Sequence, residues 1–180
     1  MGDPIELQVA HTADLDVATR EAARDLLYGV FGAEMTESDW EHCLGGVHAI
    51  AWERGRLVGH AAVIQRHLIH RERALRTGYV EGVAVLADRR RRGFGGEMMA
   101  AIERVIRDAY ELGALGATDE GAAFYAARGW RRWDGPTWAL TPTGRVRTAN
   151  EDDSIFVLEA TVTLDLSDAL TCDWREGDVW

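Results

Sequence analysis

The segment Val80–Leu86 is apolar except for one carboxylate, Glu81, and it leads directly into four consecutive arginines and a glycine-rich turn. Strand alternation places Glu81 on the same face as Tyr79 and Val83. Desolvation among apolar neighbours raises the pKa of a carboxyl, which suits a general base. The alternative is that Glu81 lies at an open strand end and pairs with a nearby arginine.

The four arginines and the glycine-rich turn that follows them predict an anion-binding site. A glycine-rich turn that opens a helix presents unpaired backbone N–H groups and the positive end of the helix dipole, and both attract phosphate. The spacing Arg90-x-x-Gly93-x-Gly95 is not that of a Walker motif and is only half of a Rossmann fingerprint. It resembles the pyrophosphate turn of the GNAT acetyltransferases. The resemblance implies coenzyme A binding by Val83, Ala84, Val85, Arg90, Arg91, Arg92, Gly93, Phe94 and Gly95.

A second motif follows the loop in the segment Gly121–Trp130, where Tyr125 precedes the pair Gly129-Trp130 by four residues. It resembles the later GNAT motif, in which a short helix brings a hydroxyl toward the sulfur of coenzyme A. A nearby O–H can protonate a departing thiolate or stabilise its charge. The alternative is that Phe124 and Tyr125 only pack a helix onto the sheet.

Longer stretches resemble the aminoglycoside 2′-N-acetyltransferases of actinobacteria. They are Trp40-Glu-His, Gly78-Tyr-Val-Glu-Gly-Val-Ala-Val, Tyr110-Glu-Leu-Gly-Ala-Leu and the closing Cys172–Trp180. The resemblance implies transfer of acetyl from acetyl-CoA to the 2′-amino group of drugs such as gentamicin, and a homodimer. One departure is Gly116, where members of the family carry a small hydroxyl residue. A side-chain contact to the sugar would be absent there, which bears on drug preference.

An aminoglycoside carries several ammonium groups, so its site should be lined with carboxylates. The alternative for each of these acids is a solvated surface charge. Glycine at position 82 would permit a close backbone approach. The expected substrate-binding residues are Glu34, Asp39, Glu81, Gly82, Glu151, Asp152, Asp178 and, through its carboxylate, Trp180.

The resemblance also implies a direct mechanism. Glu81 removes the proton of the amine through a bridging water, and the Trp180 carboxylate is a possible helper. A backbone N–H near Val83 binds the oxyanion, and Tyr125 acts as the acid toward the departing sulfur. The catalytic residues predicted are therefore Glu81, Tyr125 and Trp180, without a covalent enzyme intermediate.

Charge and composition narrow the partners of this 180-residue chain. A formal net charge of −10 disfavours nucleic acid and favours a polycation. No stretch approaches the roughly 18 apolar residues of a membrane span, and the N-terminus lacks the pattern of a signal peptide. Cys43 and Cys172 belong to no Cys-x-x-Cys pair, and His60, His67 and His70 lack the partners of a metal site. We expect a cytoplasmic protein without a metal.

The hydrophobic pattern predicts eleven elements in the order β-α-α-β-β-β-α-β-α-β-β. They are a strand at 6–10, a helix from Asp14 or Asp16 to Phe31, a short helix capped by Thr36, strands at 47–53, 57–70 and through Glu81, a helix after the arginines ending near 112–113, a strand at 114–117, a helix at 121–128, and strands at 133–140 and 155–164.

This order describes an α+β fold with a mixed central sheet flanked by helices, and the resemblance implies the GNAT acyl-CoA N-acyltransferase fold. We expect residues 1–180 to form a single GNAT domain. The tail 167–180 contains two tryptophans and four acids, which is unusual for a free tail. It is therefore expected to dock in the substrate cleft.

Two other functions fit the sequence. One is a GNAT enzyme that acetylates another amino sugar or a protein amine. The other is a CoA-binding regulator without catalysis, although the retained Glu81 and Tyr125 argue against it.

Overall fold

The computed structural model describes residues 5–180. In chain order the elements are β1 Glu6–His11, α1 Val17–Phe31, α2 Glu37–His42, β2 Val47–Glu53, β3 Arg56–His70, β4 Arg73–Val85, α3 Phe94–Ala109, β5 Leu112–Gly116, α4 Asp119–Ala127, β6 Arg131–Arg132, β7 Thr137–Thr141, β8 Gly144–Arg147, β9 Ile155–Glu159 and β10 Leu170–Cys172. The chain divides into two compact units, one of residues up to 64 with 80–104, and one of residues 65–79 with 105–180.

The first unit has an antiparallel sheet in which β2 pairs with both β1 and β3, with Ile50 opposite His60. The carboxylate of Asp16 accepts the N–H of Thr19 at 2.7 Å and so starts α1. Thr36 starts α2 through a reciprocal capping box. The core of this unit comprises Leu15, Ala23, Leu26, Leu27, Trp40, Cys43, Ile50, Leu57, Ala62 and Ala84.

The second unit contains both parallel and antiparallel pairs. β5 runs parallel to β4 and antiparallel to β9, while β10 runs parallel to β7 and antiparallel to β3. β8 closes an antiparallel hairpin with β7, and β6 pairs with β9. These pairings confirm the predicted α+β class with a mixed sheet.

The extended backbone of β4 is interrupted at Gly82. Gly82 has φ +56°, and a Cβ there would lie 2.7 Å from the Sγ of Cys43 and 3.1 Å from a methyl of Leu27. Only glycine adopts this conformation at little cost, and only hydrogen fits the space. Since this φ is not extended, the strict alternation of side chains that the sequence suggested does not continue through Gly82.

The early elements match their predictions closely, and the late ones differ. The strand predicted at 133–140 is wrong in its first half: a Cβ on Gly135 would lie 2.0 Å from the main-chain oxygen of Asp168, so the chain there packs against a loop. The strand predicted at 155–164 ends at Glu159, where Ala160 and Thr161 donate to the carbonyl of Glu111. The hairpin strand β8 and the short β10 were not predicted.

Candidate functional site

Glu81 lies half-buried on β4, immediately before the left-handed Gly82. Val80 on its other side is buried, at 4% exposure. The residue predicted as the base therefore belongs to a regular strand and precedes a fixed irregularity in it.

β3 and β4 are neighbouring strands joined by a two-residue turn, and the N–H of Leu86 donates to the carbonyl of Val58 at 3.0 Å. Alternate residues of an antiparallel strand bond to the same neighbour. The main-chain groups of Val83 and Val85 therefore point away from β3. Ala84 is buried in the core, so its methyl group faces protein.

The predicted pyrophosphate loop turns sharply before α3. Arg91 has φ +59° and Gly93 has φ +94°, and the helix begins at Phe94. The Phe94 side chain is 4% exposed and anchors this first turn in the protein. Gly95 follows it in the first turn and is half-buried. The structure thus provides the helix N-terminus that the sequence predicted.

The arginines of the loop fall into two groups. Arg89 and Arg92 both donate to the carboxylate of Glu53, at 2.5 and 3.2 Å. Arg90 and Arg91 are exposed, and the Nε of Arg90 donates to the carbonyl of Val85 at 3.3 Å. One pair is therefore held by a strand residue, and the other reaches solvent.

The two acids predicted near α2 differ in their surroundings. Glu34 is exposed and ends a 3-10 turn. The carboxylate of Asp39 accepts the N–H and the hydroxyl of Thr36, at 2.8 and 2.7 Å. Asp39 therefore already caps α2.

Tyr125 is 8% exposed and lies on α4, which begins at the N-cap Thr118. Its ring contacts those of Phe124 and Trp130 edge-on, with centroids 5.2 and 6.1 Å away. Burial raises the pKa of Tyr125 to about 12. The phenol is therefore protonated at neutral pH, as a proton donor must be.

Three of the predicted acceptor residues meet in the second unit. Burial, followed by repulsion from Asp178, raises the pKa of the Glu151 carboxyl. One carboxylate oxygen of Asp178 accepts the N–H of Trp180 at 3.1 Å. The buried indole of Trp180 donates to the hydroxyl of Thr148 at 2.9 Å. A cationic group placed here would face two neighbouring carboxylates.

Asp152 has a different environment from Glu151. It forms an ion pair with Arg147 and accepts the N–H and the hydroxyl of Thr137 at 3.1 and 3.0 Å. The Arg147 guanidinium holds the pKa of the Asp152 carboxyl far below its usual range. Asp152 already has partners within the protein.

The tail is fixed mainly by Arg66, which the sequence did not single out. The Arg66 side chain is 3% exposed and donates to the carboxylate and the carbonyl of Asp173, both at 2.8 Å. It also donates to the carbonyl of Val179 at 2.7 Å. Arg175 donates to the main-chain oxygen of Trp180 at 2.6 Å. The sequence places Arg66 on a predicted strand but does not show that its side chain is buried. Without that burial, nothing in the sequence distinguishes Arg66 from an exposed strand arginine.

Two histidines that the sequence did not pair also meet. Nδ1 of His48 lies 2.9 Å from Nε2 of His60, and Nδ1 of His60 lies 2.7 Å from the carbonyl oxygen of Gly82. In the hairpin register, His60 is opposite Ile50 and so is a diagonal neighbour of His48. A β-bulge between Ala51 and Trp52 sets this register, whereas regular counting from the turn would place His60 opposite Ala49, so the sequence contained no signal for the pair.

The described residues give little support to a metal site, a reactive thiol or a membrane-spanning helix. Within residues 5–180, no group of three or more His, Cys, Asp or Glu side chains forms a metal site. Cys43 and Cys172 are buried thiols, and burial raises the pKa of Cys172 to about 11. In the same range, no helix has the length and apolarity required to cross a membrane.

Residues 14–133 match the acetyltransferase (GNAT) domain. An aminoglycoside 2′-N-acetyltransferase from Mycolicibacterium fortuitum is 48% identical over 177 residues, which cover 96% of this chain and 91% of that protein.

Solved structures resemble the fold at low identity. YhbS, a GNAT family N-acetyltransferase from Escherichia coli solved in complex with CoA, has a TM-score of 0.65 at 12% identity, covering 96% of this chain and 93% of that one. ElaA from Escherichia coli has a TM-score of 0.62 at 19% identity, covering 87% and 100%. An acyl-CoA N-acyltransferase from Pseudomonas aeruginosa has a TM-score of 0.61 at 17% identity, covering 86% and 99%. These likenesses confirm the predicted acyltransferase fold.

Proposed function

The chain belongs to the GNAT acetyltransferase family, and on that premise we propose that it transfers acetyl from acetyl-CoA to the 2′-amino group of aminoglycosides. The observation that carries the proposal is the 48% identity, over almost the whole chain, to an aminoglycoside 2′-N-acetyltransferase. The acid-rich composition, with a net charge of −10, suits a polycationic acceptor.

The donor half of the proposal rests on the first unit. Coenzyme A would pair its pantetheine arm with the main chain of Val83 and Val85, which face away from β3. Its pyrophosphate would bind the N–H groups at the start of α3 and the exposed guanidinium groups of Arg90 and Arg91. Phe94 would contribute its main-chain N–H only, because its side chain is buried, whereas Ala84 has a buried side chain and main-chain groups that face β3.

The acceptor half rests on acids that differ in availability. Glu151 and Asp178 repel each other electrostatically, so an ammonium group bound there relieves the repulsion. Asp152 and Asp39 would have to share their carboxylates with Arg147 and with the cap of α2. We therefore place the strongest ammonium contact at Glu151 and Asp178, with Trp180 next to them.

In the proposed reaction Glu81, acting through a water, accepts a proton from the 2′-ammonium group. The neutral amine attacks the thioester carbon, and the carbonyl oxygen becomes an oxyanion that the Val83 N–H binds. The intermediate then collapses, the C–S bond breaks and Tyr125 donates its proton to the thiolate, while the cationic nitrogen releases its second proton to solvent and Tyr125 is reprotonated from solvent. The phenol is protonated at neutral pH and so has a proton to donate, while burial, which raises its pKa to about 12, makes it a weaker acid than an exposed tyrosine. Products are the 2′-acetamide and free coenzyme A.

The test measures coenzyme A release from acetyl-CoA with three acceptors: an aminoglycoside with a 2′-amine, an analogue with a 2′-hydroxyl, and a lysine peptide. We expect turnover with the first acceptor only. Glu81→Gln should lower kcat/KM by about 10²–10⁴-fold, the usual contribution of a general base. Equal turnover of the 2′-hydroxyl analogue would refute the regiochemistry, and preference for the peptide would favour a protein acetyltransferase.

Gly116 gives a finer test of acceptor preference. It is exposed, and a Cβ there would be 3.9 Å from the hydroxyl of Tyr79, an ordinary contact. Gly116→Ser therefore adds, without a clash, the hydroxyl that members of the aminoglycoside 2′-N-acetyltransferase family carry at this position.

The resemblance also supports a homodimer, which sedimentation equilibrium would test.

A further inference from the structure

A continuous row of hydrogen bonds runs through the first unit and ends on β4. The N–H of Gly45 donates to the hydroxyl of Thr12 at 2.9 Å, and that hydroxyl lies 2.7 Å from Nε2 of His48. His48 reaches His60 at 2.9 Å, and His60 reaches the carbonyl oxygen of Gly82 at 2.7 Å. Both imidazoles are fully buried. The proposed reaction assigns no role to either.

The two ends of the row determine where its protons lie. A carbonyl oxygen only accepts, so Nδ1 of His60 carries a hydrogen. In a neutral ring Nε2 of His60 then accepts, which requires a hydrogen on Nδ1 of His48. Nε2 of His48 accepts in turn from the hydroxyl of Thr12. That hydroxyl accepts from the amide of Gly45 and has a second, longer acceptor in the carbonyl of Gly46 at 3.3 Å, but the direction through both imidazoles is still set by the carbonyl of Gly82.

Both rings are neutral at physiological pH. Burial lowers the pKa of His60 to about 4, and burial together with the neighbouring ring lowers the pKa of His48 to about 3. A backbone amide cannot accept and a backbone carbonyl cannot donate, so the neutral row cannot reverse. It is consequently unsuited to carrying protons back and forth, and suited to holding a group in one orientation.

The group that it holds is the peptide between Gly82 and Val83. A trans peptide is planar, so its C=O and N–H point in opposite directions. His60 binds the carbonyl, which directs the Val83 N–H to the opposite side. Gly82, at φ +56°, has little side-chain restraint of its own. We propose that His60, held in its Nδ1–H tautomer by His48 and Thr12, is a positioning residue that aims the Val83 N–H at the thioester oxygen.

This inference rests on the proposed function, in which the Val83 N–H stabilises the oxyanion. The direction agrees with the hydrogen bond from Leu86 to Val58, which independently requires the Val83 N–H to point away from β3. An oxyanion donor acts only if it is already aimed where the charge develops. Loss of its support should therefore lower kcat more than it changes KM.

The test compares two substitutions of similar volume. The amide nitrogen of asparagine occupies about the position of imidazole Nδ1, so His60→Asn keeps a donor toward Gly82, whereas His60→Leu removes it. We expect His60→Leu to lower kcat by about 10- to 100-fold, somewhat less than outright loss of an oxyanion donor. KM for both substrates should stay within about threefold, and His60→Asn should recover most of kcat. Equal losses in the two variants, or a kcat of His60→Leu within about twofold of wild type, would overturn the proposal.

Nitrogen-15 NMR of the full-length protein gives a readout that needs no catalysis. The imidazole pattern of His60 should be that of the Nδ1–H tautomer near neutral pH, and an Nε2–H tautomer would overturn the proposal even if His60→Leu does not fold. The Val83 amide resonance should shift in His60→Leu and much less in His60→Asn. An unshifted Val83 amide in His60→Leu would contradict the inference. A shifted amide in a protein that acetylates no aminoglycoside would support the positioning and reject the proposed function alone.

Discussion

Two buried networks hold main-chain groups of the proposed site, and they differ in charge. In the first unit, neutral His60 donates to the carbonyl of Gly82. In the second unit, the guanidinium of Arg66 donates to the carbonyls of Asp173 and Val179 and to the Asp173 carboxylate. One network places the segment after the proposed base, and the other places the tail that ends at Trp180.

The networks also differ in connectivity. The histidine row is a single file through its two imidazoles, and its one side contact is the longer bond from the Thr12 hydroxyl to the carbonyl of Gly46 at 3.3 Å. The tail anchor is branched: Asp173 also accepts the N–H of His67 at 3.0 Å, and the carbonyl of Val179 also accepts the thiol of Cys172 at 3.2 Å. A single-file network loses its order when one member changes, whereas a branched one keeps some bonds. The stability contributed by the histidine row should depend on pH through protonation of its two imidazoles. The stability contributed by the tail anchor should depend on the positive charge of Arg66.

The largest expected effect is acid destabilisation by the histidine row. The unfolded chain binds protons at His48 and His60 near pH 6.5, while in the folded chain their pKa values are about 3 and about 4. Unfolding therefore takes up protons in this window, and stability falls as the pH falls. The free energy of unfolding should drop by roughly 3–5 kcal/mol from about pH 7.5 to about pH 4.5, measured by urea titration.

The matched control for this pH dependence compares a buried with an exposed histidine. His60→Asn removes one buried ring and should remove about half of the drop, whereas His67→Asn at an exposed position should leave it unchanged. If both variants keep the full drop, the row does not cause it.

The next effect concerns the charged anchor. Arg66→Met keeps the length of the side chain and removes its donors, leaving Asp173 with the N–H of His67. Because the Asp173 side chain is 37% exposed and can be solvated, we expect a loss of about 2–3 kcal/mol, below that of a fully buried pair. Arg66→Lys should recover part of it. KM for the aminoglycoside should rise more than KM for acetyl-CoA, and an equal rise in both would show that the anchor does not act on the acceptor.

A smaller effect is expected at the first member of the histidine row. Thr12→Val is nearly isosteric, but it leaves the Gly45 N–H without its acceptor and Nε2 of His48 without its donor. We expect a cost of about 1–2 kcal/mol in unfolding free energy. Thr12→Ser keeps the hydroxyl and should cost less than half as much. Indistinguishable Thr12→Val and wild-type stabilities would break the single-file description.

The smallest expected effect is a difference between the two networks in their response to ionic strength. Raising ionic strength screens partly exposed charges and leaves buried neutral hydrogen bonds nearly unchanged. The cost of Arg66→Met should therefore shrink by about 0.5 kcal/mol between low and high salt, while the cost of Thr12→Val should stay constant. A salt-dependent Thr12→Val cost would indicate a charged imidazole.

The sequence predicted those parts of the fold whose signals are local. The cap at Asp16, the capping box at Thr36 and the apolar run of β2 place three elements within about a residue of their observed starts. β8 was not predicted because all four of its residues are exposed and show no alternation. β10 has only three residues, too few for a pattern. Its pairing depends on distant partners that the local sequence does not show.

The candidate site likewise has parts with local sequence signals and parts that depend on tertiary contacts. The turn before α3 could be predicted from residue type, because helix starts have sequence signals. At Gly82 the sequence predicted a close backbone approach but not the left-handed conformation. Glu151 and Asp152 are adjacent and chemically alike, yet one faces Asp178 and the other pairs with Arg147. Partner choice of this kind depends on tertiary contacts. The roles of Glu81, Tyr125 and Trp180 remain predictions.

The contacts of Glu53 change the charge of the loop that precedes α3. Four guanidinium groups stand in sequence at 89–92, but Glu53 and Asp88 already form ion pairs with Arg89, and Glu53 also pairs with Arg92. Two carboxylates against four guanidinium groups leave two positive charges. A diphosphate diester, the form of pyrophosphate in coenzyme A, carries two negative charges. The net charge of the loop is thus equal and opposite to that of one diphosphate bridge, as the proposed coenzyme A site requires.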